Sequence, residues 1–411
     1  MTTNKGPDLN IDDLRARLLS GGWPATPVVD ARGITSTIER ALASAGLDAR
    51  SPLVRGINAT IQDALAGAGL APRHATASAS PATIDGIATR IDEAPDRERA
   101  PVRAPSGARG SAGEFMTDTF TNHAGARDYK LYVPSHDGSE RPAMPLIVML
   151  HGCSQNPDDF AAGTRMNDRA EEHGFLVLYP AQPVNANASR CWNWFRPGDQ
   201  QRDAGEPSLI AGMTLDVATR YGVDARRIFV AGLSAGGAMA VVLGAAYPEL
   251  FAAVGVHSGI PYGVAHDVPS AFAAMRNASG SRGRSGIGTA ANGARHGVRL
   301  PPTIVFHGDR DTTVHAENGA DIAAAVADGH ADAQGLHVDV QEGVAAGGRA
   351  YRRTVYRNVD NQSVVEQWLL NGAGHAWSGG SARGSFTDPS GPDASAEMIR
   401  FFLSQQRAGT A

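Results

Sequence analysis

The chain has 411 residues, of which 42% are hydrophobic and 19% charged, and its net charge is −5. This length is ample for one large α/β domain plus an appendage. The acidic balance and the scattered basic residues argue against nucleic-acid binding, and no apolar run is long enough for a membrane-spanning helix. No signal peptide is predicted, because residues 1–8 lack a positively charged start followed by an apolar core.

The N-terminal part of the chain is predicted to be separate from the main domain. Residues 1–75 predict short amphipathic helices, and residues 33–47 match residues 56–70 at ten of fifteen positions, which is an internal repeat. We interpret this region as a loosely ordered helical appendage; the alternative is two small units that pack together or against a surface. Residues 76–114 are rich in Ala, Pro, Arg, Ser and Gly and predict a linker, because they contain too few apolar residues to offset the entropy of ordering.

An α/β domain is predicted over residues 115–405, where short apolar runs alternate with helical patterns. This alternation indicates a mostly parallel sheet with helices on both faces. Strands are predicted at Tyr129–Pro134 on an exposed flank, Leu146–Leu150, Phe175–Tyr179, the stretch from Ile228, Ala252–Val256, Thr303–Phe306 and Val364–Leu369. Helices are predicted at Asp158–Glu172, Pro207–Tyr221 and Ala394–Leu403. Residues 262–300 are interpreted as an exposed insertion, with a lid over the site as the alternative.

One stretch organises this domain: the apolar strand from Ile228 breaks into Gly-Leu-Ser-Ala-Gly before a helical pattern resumes. Such short glycine-serine patterns arise by chance in a chain with 48 glycines, but the strand before and the Ala-rich helix after make this one specific. A strand, tight turn and helix with a central serine form a nucleophile elbow, in which the serine adopts a strained conformation between small neighbours. Ser234 is therefore the predicted catalytic nucleophile.

A nucleophilic serine needs a histidine to take its proton and a carboxylate to orient that histidine. In hydrolases with this elbow, the acid and then the histidine follow the serine, each on a loop after a strand. Asp311 is the predicted acid, because the alternative, Asp309, lies so close to the strand end that a turn role explains it. His375 is the predicted base, because it stands in a Gly-rich loop after the final strand. The other downstream histidines lie beside the acid, in a polar turn and in a predicted strand: His315, His330 and His337.

Hydrolysis by such a serine also requires backbone donors for the negative charge that develops on the carbonyl oxygen. The amide of Ala235, directly after the nucleophile, is one predicted donor. The second is expected in the loop after strand Leu146–Leu150, where we assign it to the amide of Cys153, with Gly152 allowing close approach of the backbone.

Five motifs in this order make the region from about 115 to 405 resemble the polyhydroxybutyrate depolymerase family of esterases, relatives of the feruloyl and acetylxylan esterases. The motifs are Leu150–Gln155, Cys191–Phe195, Gly232–Gly237, His307–Val314 and Gly374–Trp377. The resemblance implies an α/β-hydrolase fold with Ser234, Asp311 and His375 as the triad. It also implies an oxyanion hole at Cys153 and Ala235. Residues 1–114 lie outside the resemblance.

The resemblance further implies a disulfide between Cys153 and Cys191, the two cysteines of the chain. The bridge would anchor the oxyanion loop to the tryptophan-rich segment, and closing its 37-residue loop stabilises a fold by about 3–4 kcal/mol in the loop-entropy model. The alternative is two buried free thiols. A bridge favours an extracellular or periplasmic location, whereas free thiols favour the cytoplasm.

Trp192 and Trp377 lie beside catalytic loops, so they are candidate substrate contacts that offer an apolar platform to an acyl chain; the alternative places both in the core. Trp194 is assigned to the core. No metal or organic cofactor is expected, because the histidines show no paired ligand spacing.

The sequence thus predicts a serine carboxylic-ester hydrolase that works through an acyl-enzyme. The resemblance implies poly(3-hydroxybutyrate) or its short oligomers as substrate. A feruloyl or acetylxylan-type esterase is the first alternative. An alternative of another class is a granule- or surface-associated binding protein on a hydrolase scaffold.

Overall fold

The computed structural model describes residues 113–136, 143–276, 299–331 and 334–407. The predictions for residues 1–75, for nearly all of 76–114 and for the central part of 262–300 lie outside these residues. The strands are β1 (Glu114–Asn122), β2 (Gly125–Val133), β3 (Leu146–Leu150), β4 (Leu176–Pro180), β5 (Ile228–Leu233), β6 (Ala253–His257), β7 (Thr303–Gly308), β8 (His337–Val344), β9 (Ala350–Arg357), β10 (Ser363–Leu370), β11 (Trp377–Ser378) and β12 (Thr387–Asp388). The helices are α1 (Pro157–Thr164), α2 (Met166–His173), α3 (Gly205–Tyr221), α4 (Ala235–Ala246), α5 (Val268–Arg276), α6 (Glu317–His330) and α7 (Ala394–Leu403), with a short 3₁₀ turn at Pro197–Asp199.

Within the described residues, ten strands form one sheet in the order β1-β2-β4-β3-β5-β6-β7-β10-β9-β8. The six strands from β4 to β10 run parallel. Their apolar runs are buried on both faces: in β3, Ile147 and Met149 join the core cluster on one face, whereas Val148 joins the cluster on the other. The predicted α/β fold with a mostly parallel sheet is confirmed.

Antiparallel strands complete both edges of this sheet. The strand predicted on an exposed flank is β2, but it is not the edge strand, because β1 pairs with it, and Tyr129, Leu131 and Val133 are buried in the core cluster on one face of the sheet. The sequence analysis missed β1 and β9. Consecutive polar residues interrupt their apolar ones, at 117–119 in β1 and at 352–354 in β9, and both strands pair along their length with a neighbouring strand.

The helices differ from expectation mainly at one point. The single helix predicted at Asp158–Glu172 is two helices, because Arg165 adopts a left-handed conformation (φ 54°) and its amide bonds to Ala161 O. The Arg165 guanidinium lies 3.0 Å from Asp393 Oδ2, a contact that sequence spacing does not reveal. None of the described helices has the length and apolar character needed to span a membrane.

Helix α5 is the described part of the predicted insertion at 262–300. Its last turn packs on the start of α6, where Asn318 Nδ2 donates to Ala274 O (3.0 Å) and His315 N donates to Met275 O (2.8 Å). The helix therefore lies against the loop that follows β7.

Candidate active site

Ser234 occupies the turn between β5 and α4 with φ 59° and ψ −120°, a conformation that non-glycine residues rarely adopt. A Cβ added at Gly236 would lie 2.1 Å from Leu150 O, and one at Gly232 would lie 2.4 Å from the Gly236 carbonyl. Both positions therefore require glycine. The turn has the geometry of a nucleophile elbow and places Ser234 at the N-terminus of α4.

His375 and Asp311 meet although 64 positions separate them in the chain: His375 Nδ1 donates to Asp311 Oδ2 at 2.6 Å. The other carboxylate oxygen of Asp311 accepts from the amides of Thr313 and Val314, each at 2.9 Å. With Nδ1 occupied as a donor, the imidazole presents Nε2 as its proton acceptor. The structure thus brings together the acid and the base that the sequence predicts.

The electrostatic environment keeps this acid ionised. Burial by itself raises the pKa of Asp311, but hydrogen bonding with His307 and His375 and with the Val314 amide lowers it well below the usual range. His307 Nε2 donates to Val314 O at 2.9 Å and lies 3.5 Å from Asp311 Oδ2. The sequence analysis did not select His307, although it stands in the same motif as the acid.

Asp309 has a different role from Asp311. Its Oδ1 accepts the amide of Gly372 at 2.6 Å, and the next amide, that of Arg310, donates to Ala373 O at 3.0 Å. These bonds join the loop after β7 to the loop that carries His375. Asp309 therefore links two loops, whereas the sequence analysis expected a turn role within its own loop.

His257, at the end of β6, lies between the nucleophile and the histidine loop. Its carbonyl accepts the amide of Ser234 at 2.9 Å, and its Nε2 accepts the amide of Ser378 at 3.0 Å. Burial, with His307 and His375 nearby, lowers the pKa of His257 to about 3, so the ring stays neutral. The sequence analysis missed this residue; its signal is a histidine at the end of the strand that follows the elbow.

The loop after β3 lies directly against the elbow. A Cβ added at Gly152 would lie 3.6 Å from Ser234 Cβ. Gly152 N donates to Gln155 Oε1 at 2.9 Å. The amides of Cys153 and Ala235 differ from that of Gly152. Among the hydrogen bonds of the described residues, neither of them donates to a protein acceptor. Both amides remain the candidate oxyanion donors.

Three further contacts hold this loop. The predicted disulfide between Cys153 and Cys191 is confirmed, with Cα atoms 4.2 Å apart. His151 Nε2 accepts the amide of Gln182 at 3.1 Å and its Nδ1 donates to Gly152 O at 2.8 Å. Burial lowers the pKa of His151 to about 4, which keeps it neutral and able to do both.

The two tryptophans predicted to contact substrate are in the core. Trp192 and Trp377 are 0% and 1% exposed. Their indole N–H groups donate to His151 O (3.1 Å) and Ser395 Oγ (3.1 Å). A substrate contact requires an exposed ring face, which neither has, so both rings are core residues. Trp194 is also buried, as expected.

Metal-ligating residue types do not converge in the described ranges: no three His, Cys, Asp or Glu side chains there are arranged to hold a metal ion.

Comparison with known proteins relates this chain to esterases. The family model described as esterase PHB depolymerase matches residues 127–345. The chain is 33% identical to poly(3-hydroxyalkanoate) depolymerase C of Paucimonas lemoignei over 268 residues, which cover 64% of this chain and 63% of that protein. It is 32% identical to feruloyl esterase B of Neurospora crassa over 207 residues, 49% of this chain and 68% of that protein. It is 31% identical to acetylxylan esterase A of Aspergillus oryzae over 222 residues, 51% of this chain and 68% of that protein.

A solved structure supports the fold. The acetyl xylan esterase from Aspergillus awamori superposes with a TM-score of 0.52 at 21% identity, covering 72% of this chain and all of that one.

Proposed function

This chain belongs to the polyhydroxybutyrate (PHB) depolymerase family of esterases, and from that premise we propose that it is a serine carboxylic-ester hydrolase that works through an acyl-enzyme. Ser234 Oγ attacks the ester carbonyl while His375 Nε2 takes its proton. Asp311 holds the imidazole through Nδ1 and stabilises the imidazolium that forms. The single observation that carries the proposal is the Asp311–His375 hydrogen bond, formed at the carboxyl ends of the parallel strands, where the strained Ser234 also lies.

The amides of Cys153 and Ala235 bind the tetrahedral intermediate in this mechanism. Removing one such donor from an oxyanion hole typically costs about 10²- to 10³-fold in rate. The imidazolium of His375 then protonates the leaving alcohol, and the acyl group remains on Ser234. A water that loses its proton to His375 attacks the acyl-enzyme, releases the carboxylic acid and restores the serine.

The proposed substrate is poly(3-hydroxybutyrate) or its short oligomers. Of the relatives described, the polyester depolymerase matches the longest stretch of this chain, 268 residues. A feruloyl- or acetylxylan-type activity is the second candidate, because esterases with those names match 207 and 222 residues of the same chain. The Cys153–Cys191 disulfide supports an oxidising location, extracellular or periplasmic.

The test uses the full chain and its Ser234→Ala variant. Release of 3-hydroxybutyrate from soluble oligomers and from polymer film is compared with hydrolysis of methyl ferulate and acetylated xylan. We expect Ser234→Ala to lose at least about 10³-fold in kcat on the best substrate while its circular dichroism stays unchanged. Ser404→Ala, at the end of α7, is the matched control and retains activity.

Each outcome separates the candidates. Activity that survives in Ser234→Ala rules out the acyl-enzyme mechanism. Hydrolysis of methyl ferulate or acetylated xylan in preference to the oligomers selects the second candidate. Polymer binding without hydrolysis of any of these esters selects a binding protein on a hydrolase scaffold.

A further inference from the structure

Phe386 combines an exposed aromatic ring with an unfavourable backbone conformation. Its side chain is 46% exposed and its φ is 51°. The left-handed region is disfavoured for a bulky residue, and an exposed ring does not recover that cost by burial. Backbone strain that packing does not offset is typical of residues at functional sites.

The backbone around Phe386 is fixed between the two catalytic loops. Phe386 O accepts the amide of Trp377, two residues after His375, at 2.7 Å. On the preceding residue, Ser385 O accepts from Gln155 Nε2 at 3.2 Å. The same Gln155 holds the Gly152 amide through its Oε1. One hydrogen bond therefore attaches Phe386 to the histidine loop. On the other side, its neighbour Ser385 is bonded to Gln155, which in turn holds the oxyanion loop.

Asp159, in the first turn of α1, strengthens this attachment. Its Oδ1 accepts the amide of Ser385 at 2.8 Å, and its Oδ2 accepts the hydroxyl of Ser385 at 2.6 Å. Helix α1 begins immediately after the oxyanion loop, so the bonds set the position of Phe386 relative to that loop.

We propose that the Phe386 ring is the apolar wall of the substrate site and that it determines which acyl groups are hydrolysed fastest. The proposal rests on the esterase function proposed above. It assigns to Phe386 the apolar contact that the buried Trp192 and Trp377 do not provide. The ligand chemistry is an ester whose acyl part presents at least a short alkyl chain or an aromatic ring to the phenyl face.

The test measures acyl-group selectivity in the full chain. Values of kcat/KM are determined for 4-nitrophenyl acetate, butyrate and hexanoate with the wild type, Phe386→Ala and Phe386→Gly. We expect the hexanoate-to-acetate ratio of kcat/KM to fall about tenfold in both variants, since the longer chain loses its apolar contact. Val359→Ala is the control, because Val359 is 59% exposed in the turn between β9 and β10, at the amino end of β10 and so opposite the carboxyl ends that carry the site.

Phe386→Gly separates this role from a structural one. Glycine relieves the strain of a positive φ, so the variant is expected to have a higher Tm than the wild type while its selectivity falls. An unchanged hexanoate-to-acetate ratio in Phe386→Ala overturns the inference, as does an equal fall in Val359→Ala. A wild type that hydrolyses neither these three esters nor any substrate of the first test overturns the proposed function itself, which distinguishes the two failures.

Discussion

At the scale of single residues, Asp309 and Asp311 show that two identical side chains have different roles according to their position. Asp311 accepts from His375 Nδ1, whereas Asp309 accepts from the amide of Gly372. The first bond orients a group that moves a proton in the proposed mechanism. The second only joins two loops. The two carboxylates therefore have different consequences for catalysis although both follow β7.

Substituting each carboxylate by its amide tests this difference. Asp311→Asn is expected to lower kcat by about 10³- to 10⁴-fold on a soluble ester, because an amide neither fixes the imidazole tautomer nor stabilises the imidazolium. Asp309→Asn keeps an oxygen that accepts the Gly372 amide, so we expect less than about a tenfold loss. Steady-state kinetics with circular dichroism as a folding control measure both. Equal losses in the two variants contradict the assignment of Asp311 as the acid.

At the scale of elements, the loop after β3 is held by a disulfide and by the segment that follows β4. A buried carboxylate organises that segment: Glu206 accepts the amide and the Nδ2 of Asn193 at 2.7 and 2.6 Å, and also Gln182 Nε2. Burial, with Asp199 nearby, raises the pKa of Glu206. The bridge from Cys191 then transmits the position of this segment to Cys153, whose amide is a proposed oxyanion donor.

Breaking the bridge is expected to affect both stability and rate. The double variant Cys153→Ala, Cys191→Ala is expected to lose about 3 kcal/mol of unfolding free energy, because a loop of sequence separation 38 is no longer closed. Its kcat is expected to fall more than its KM rises, since the Cys153 amide binds charge that develops only after attack. Urea denaturation and steady-state kinetics measure these changes. Dithiothreitol shifts the wild-type midpoint but not that of the double variant; a wild type insensitive to reduction contradicts the prediction.

At the scale of the whole molecule, the sheet and its two layers of helices bury two neutral histidines. His151 lies at the end of β3 and His257 at the end of β6, and burial lowers their pKa values to about 4 and about 3. The unfolded chain exposes both rings and binds a proton near the ordinary pKa of about 6.5. Their contribution to stability is therefore present above pH 6.5 and is lost as the pH falls. Glu206, whose pKa is raised, offsets part of that loss.

The unfolding free energy is accordingly expected to decrease on acidification. Each histidine contributes a slope of about 1.4 kcal/mol per pH unit below pH 6.5, so the two together are expected to lose about 4 kcal/mol between pH 6.5 and pH 5, a loss that Glu206 partly offsets. Urea denaturation at pH 7, 6 and 5 measures it. A stability that stays flat over this range contradicts the burial of neutral histidines.

The amino-acid sequence by itself determined the class of fold and the candidates for the site. Continuous apolar runs such as Leu146–Leu150 specify buried parallel strands, and α7 has the bounds that its helical pattern predicts. The elbow at Ser234 was also recognisable, because close backbone approach requires small residues on both sides of the serine. These features depend on neighbours in the chain, so local patterns record them.

Only the tertiary structure decided which distant groups meet. It placed His257 between the elbow and the histidine loop, buried Trp192 and Trp377, and left Phe386 at the surface between two catalytic loops. The same side chain is a core residue or a surface residue according to what packs on it. Packing between segments far apart in the chain leaves no periodicity or spacing in the sequence, and for that physical reason these positions could not be predicted from it.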